Sequence, residues 1–136
     1  MTAILTSLDT LGSFLLFFAV ALAAVALFVA IYMAVTTHHE ASLIQQGNSA
    51  AAISFGGALV GFSLPLASVI VHSLSIVEMA IWSGVALIVQ IVVFKVVDLL
   101  IREVSRHIEE GNVAAGITLA SASIAIGLIN AACMSY

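Results

Sequence analysis

The chain has 136 residues, 63% of them hydrophobic and 7% charged, with a mean hydropathy of +1.29 and a net charge of −4. A water-soluble domain carries about 25% charged residues, so this composition cannot coat a water-facing surface and a bilayer must act as solvent. With three basic residues in all, no nucleic-acid footprint exists, and the lone Cys133 excludes an internal disulfide.

The first ten residues contain neither Lys nor Arg, unlike the opening of a secretory signal peptide. The apolar run at about 11–35 is long enough to cross roughly 30 Å of hydrocarbon, and it reads as a retained transmembrane helix. The polar stretch TTHHEASLIQQGNS then makes a hinge before a second span at about 50–71. In the turn HSLSIVE, Ser75 and Glu78 have the S-x-x-E spacing of a capping box, which gives that carboxylate a structural task. A third span follows at about 76–94 and a fourth at about 113–134. The fold class is therefore an all-α integral membrane protein, a single membrane domain of four transmembrane helices.

Between spans three and four, Val97, Ile101, Val104 and Ile108 recur along one side at helical spacing. Asp98, Arg102, Arg106 and Glu110 alternate in sign on another side at i,i+4 steps. The spacing predicts that span three continues as an amphipathic extension over about 95–110. Lys95, Arg102 and Arg106 are the only basic residues, so the positive-inside rule puts this segment in the cytoplasm. The hinge with His38 and Glu40 then lies on the same side, and both termini are periplasmic. His38, Glu40, Arg102 and Arg106 become candidates for a cytoplasmic interface with a peripheral protein or lipid headgroups.

IQQGNSAAAI, from Ile44, returns sixty-four positions later as IEEGNVAAGI, from Ile108. The chain thus reads as two parallel-oriented helical-hairpin repeats, about 1–73 and 74–136. Gly47 and Gly111 suit the left-handed residue that ends one helix, and Asn48 and Asn112 suit the N-cap of the next. Two such helix starts on one side could hold an anion or shape an ion entrance.

Gly57 and Gly61 form a GxxxG pair in span two, and Ser123, Gly127 and Ala131 give small residues at the same step in span four, with Gly116 and Ala120 beside them. Small residues let helix backbones approach, so spans two and four are expected to pack closely. Phe14, Phe17, Phe18, Phe28 and Tyr32 of span one, with Trp82 and Phe94 of span three, are expected to face lipid or neighbouring protomers. Pro65 is expected to free a carbonyl in span two. Four helices bury few faces, which points to a homo-oligomer.

Gln90 and Asn130 are candidate pore-lining or intramembrane polar residues, since polar side chains are costly in hydrocarbon. No Asp, Glu, Lys or Arg lies in the middle of a span, which argues against a proton relay or a driven transporter. His38, His39 and Glu40, with His107 and Glu110, fit no closed metal motif. No nucleophile–base arrangement or phosphate-cradling loop appears. No catalytic residue, metal or cofactor is therefore assigned, and enzyme activity is not expected.

H-x-E-x-x-L-I at His38 to Ile44, GNSAAAISFGGALVGFSLPLAS, WSGVALIVQ at Trp82 to Gln90 and the closing NAACMSY together resemble domain-of-unknown-function family 350, of small bacterial inner-membrane proteins. The resemblance covers essentially the whole chain. It implies four spans in a tandem two-helix repeat and brings no established activity. It also implies an association with membrane-stress proteins and with polyamine-related or ATP-grasp enzymes. His38, Glu40, Asn48, Gln90, Asn112 and Asn130 fall on these strings; His39 and His107 do not. The expected function is a small oligomeric subunit that passively conducts an ion or small solute in envelope maintenance. The alternative is a non-conducting scaffold that recruits a peripheral stress-response protein through residues 95–110.

Overall fold

The computed structural model describes residues 1–134. Ser135 and Tyr136, which close the last matched string and carry the expected periplasmic end, lie outside the described residues. In chain order the helices are α1 (Thr2–Val35), α2 (Glu40–Gln45), α3 (Ser49–His72), α4 (Ile76–Leu100), α5 (Val104–Glu109) and α6 (Val113–Cys133). No strand occurs among the described residues. The long helices α1, α3, α4 and α6 are each apolar enough to cross a membrane.

Helices α3 and α6 form the centre, and small residues set their distance. A methyl group on Gly57 would overlap Ala120, and one on Gly61 would strike the carbonyl of Ser123. On Gly116 it would lie 2.6 Å from the carbonyl oxygen of Ala50, and on Gly127 it would strike that of Gly61. The last contact has a cause in the sequence. Pro65 lacks the N–H that would bond the carbonyl four residues back, so the Gly61 oxygen has no helical partner and packs against α6. Contacts pair residue 50 with 116, 57 with 120, 61 with 127 and 68 with 131, so the two helices run parallel.

Around this pair α1 and α4 complete the bundle through aromatic side chains. Phe28 stacks on Phe62 at 4.5 Å between ring centroids, and Tyr32 meets Phe94 edge-on at 5.8 Å. Phe28, Tyr32 and Phe94 are thus core residues, contrary to their expected outward bulk, because α1 packs on the bundle along one stripe from Phe17 onward. Phe14, Phe18 and Trp82 do face outward.

The helix that holds the first span begins at Thr2, and its 34 residues give about 51 Å of helix. The other three spans have 24, 25 and 21 residues, roughly 32–38 Å.

The extension of span three is not one helix. Helix α4 stops at Leu100, Glu103 adopts left-handed backbone with φ 57°, and α5 starts at Val104. A straight continuation would carry the Val104 and Ile108 face into water with nothing to cover it. The break turns α5 back, and both residues become fully buried. Asp98 Oδ1 accepts from Val104 N at 3.3 Å, across the break. Arg106 keeps the expected i,i+4 step to Glu110, at 3.7 Å, and also pairs with Glu103 at 3.0 Å.

Candidate functional site

Helix α1 ends as Thr36 turns extended, and the chain folds inward before the short helix α2 begins. This places Thr36, His38 and Glu40 under the end of the bundle, with His38 and Glu40 each only 1% exposed. They are therefore not the surface interface expected of an interfacial hinge. Thr36 Oγ1 donates to Glu40 Oε1. His38 Nδ1 shares a hydrogen bond with Ser105 Oγ at 2.9 Å, across to α5. His38 Nε2 lies 3.3 Å from Glu40 Oε1 without hydrogen-bond geometry. The Phe94 ring walls the imidazole at 6.4 Å.

Burial decides the charge states here. It holds His38 down at about 4 from an ordinary 6.5, helped by neighbouring His39, so the imidazole is neutral at pH 7. Burial also pushes the Glu40 carboxyl up, against the lowering influence of its bonds to Thr36 and the backbone and of His39.

On the far side of Ser105 a polar recess of about 300 Å³ opens, lined by Thr37, Asp98, Glu103, Ser105, Arg106 and Glu109. Ser105 escaped the sequence reading because its only signal is its place between Val104 and Ile108 on an apolar face. Arg102 and Arg106 are exposed, outside the cluster. Among the described residues no three His, Cys, Asp or Glu side chains converge as a metal site.

The two Gly-Asn junctions lie at this same end. Gly47 and Gly111 hold φ of 83° and 80°, where an L side chain is strained. Asn48 Oδ1 accepts from Ala51 N at 3.0 Å and Asn112 Oδ1 from Ala115 N at 3.3 Å. The two differ otherwise. Asn48 Nδ2 also donates to the Ile108 carbonyl at 2.8 Å and, more weakly, to that of Glu109 at 3.4 Å. Asn112 is exposed.

Within the spans, Gln90 is 1% exposed and its Nε2 donates to the Ser123 carbonyl at 3.1 Å. Among the described residues its Oε1 has no hydrogen-bond partner, and neither do buried Tyr32 Oη, Ser83 Oγ and Asn130 Nδ2. Buried polar atoms almost always have a protein or water partner, so four unmatched atoms in an apolar bundle call for one.

The chain matches the family described as Domain of Unknown Function (DUF350) over residues 6–134. It is 39% identical over 129 residues to the UPF0719 inner membrane protein YjfL of Escherichia coli strain K12, covering 95% of this chain and 98% of that protein. The protein of the same name from Escherichia coli O157:H7 matches with the same identity and coverage. No solved structure matches. A family match over nearly the whole length, an inner-membrane relative and four membrane-length apolar helices agree: the chain is a multi-pass inner-membrane protein and belongs to the DUF350 family.

Proposed function

We propose that the protein is a non-enzymatic subunit of a homo-oligomeric assembly that lets a small ion or solute pass down its gradient through the inner membrane, in the service of envelope maintenance. Support comes above all from the unmatched polar atoms of Tyr32, Ser83, Gln90 and Asn130, spread along the spans. Ser83 and Gln90 are seven residues apart on α4, about 10 Å along its axis, so their needs are met at separate depths. Water threaded between the helices or protomers satisfies such atoms and gives a permeant polar stations.

The charged residues of the spans, Asp9, Glu78, Lys95 and Asp98, all lie toward helix ends. That favours a passive path over a driven one. The basic residues around α5 orient this end toward the cytoplasm and the termini toward the periplasm. The remaining apolar faces meet lipid. Flux of protons and alkali cations into liposomes containing the purified protein tests the reading. Flux above that of empty liposomes supports it, and flux equal to theirs rejects it.

A second reading, a scaffold for a peripheral membrane-stress protein, draws on the exposed Arg102, Arg106, Glu109 and Glu110 around α5. Under it, Arg102→Glu with Arg106→Glu abolishes partner recruitment while liposome flux stays at background.

A further inference from the structure

Helix α5 has six residues, far too few for a helix to persist unaided, and it follows a backbone break. What holds it is therefore its docking: Val104 and Ile108 under the bundle, Asn48 on its last carbonyls, and Ser105 on His38. The His38 bond stands apart from the others. It joins α5 to the end of α1 across 67 positions of chain, through a ring that titrates and whose second nitrogen faces a buried carboxyl. We propose that Thr36, His38, Glu40 and Ser105 form a proton-binding latch, which holds α5 against the end of α1 and releases it when a second proton enters the His38–Glu40 pair.

With one proton the pair is neutral overall, whether written as imidazole with carboxylic acid or as imidazolium with carboxylate. A second proton leaves a net positive charge enclosed beside Phe94, where desolvation opposes it. The surroundings offer that charge little. His39, next in the chain, adds repulsion, and α1 presents Tyr32. Helix α2 contributes only Glu40, α3 has one titratable side chain, His72, at its opposite end, and the only one in α6 is Cys133, at its far end. From α4, Lys95 lies over the Phe94 ring with its Nζ 5.9 Å from the centroid, and Asp98 accepts from Val104 N. The linker and α5 supply Glu103, Arg106 and Glu109, which line the recess beyond Ser105, and His107, half-buried on α5. An imidazolium that leaves the cluster thus finds water and three carboxylates, Asp98, Glu103 and Glu109, outside it.

The direction with pH follows from linkage. Closed, His38 titrates at about 4, and released into water it returns to its ordinary 6.5. Closure on this group is therefore complete above about 6.5 and is lost as pH falls toward 4. Glu40 acts in the opposite sense: its raised value makes closure favourable while it is protonated and less so as pH rises past that value.

Amide hydrogen exchange of the full chain in lipid nanodiscs, at pH 7 and pH 5, reads the latch directly. Protection factors divide out the pH dependence of intrinsic exchange. For amides 104–109 the protection should fall on the order of tenfold between pH 7 and pH 5. Protection in the middle of α3 and α6 should stay level. His38→Asn, whose amide reaches the Nδ1 position but does not titrate, should keep the pH 7 value and lose the fall. Glu40→Gln should keep the fall, and Ser105→Ala should lower protection at both pH values. Equal α5 protection at pH 7 and pH 5 in the unmodified protein overturns the latch, and so does an undiminished fall in His38→Asn.

Discussion

Asn48 Oδ1 closes the start of α3 while its Nδ2 closes the end of α5, so one side chain satisfies both helix termini. That pairing changes what a substitution should do. A cap alone tolerates Asp, which accepts a backbone N–H as well as Asn does. At Asn48 the aspartate would instead face the carbonyls of Ile108 and Glu109, with like partial charge and no donor. Asn48→Asp should therefore lower stability by about 1–2 kcal/mol, close to the loss for Asn48→Leu. Asn112→Asp, at a position that only caps, should be nearly neutral. Thermal unfolding in detergent compares the three, and an Asn48→Asp variant as stable as the parent would remove the bridging role.

Between elements, the close approach of α3 and α6 and the break after α4 make separate predictions. Gly127→Ala drives a methyl into the Gly61 carbonyl and should cost about 1–3 kcal/mol, the usual range for overpacking. Gly84→Ala on α4 meets open space and should be neutral or slightly stabilising. Glu103 is a non-glycine residue in left-handed backbone, so Glu103→Gly should stabilise the break by about 1 kcal/mol. The lost pair with Arg106 is too exposed to offset it. Melting curves of these variants in one detergent check all three. A stable Gly127→Ala would mean that α3 and α6 can separate without loss.

Across the whole molecule, much of this was legible in the sequence because bilayers impose long apolar runs. Helices α3 and α6 start where the Gly-Asn junctions and their capping asparagines mark them. The small residues of α3 and α6 announced close packing through spacing alone. The break at Ile101–Glu103 was hidden, because 3.6-residue periodicity runs unbroken through it and only tertiary burial of Val104 and Ile108 selects the bent form. The His38–Glu40 cluster was hidden for a related reason: a charged pair beside a polar hinge looks solvated until α5 covers it. The aromatic residues of α1 divide between lipid and core because only one stripe of the helix, from Phe17 onward, packs on the bundle, and composition does not mark that stripe.

The proposed passive path would draw together the buried Gln90, the unmatched polar atoms and the charge-poor spans. Its most direct test is ion flux into liposomes holding the purified protein or its Gln90→Leu variant, with oligomer size checked for both. The expected result is flux well above empty liposomes for the parent, cut at least tenfold by Gln90→Leu in an assembly of unchanged size. Parent flux at the level of empty liposomes would contradict conduction outright.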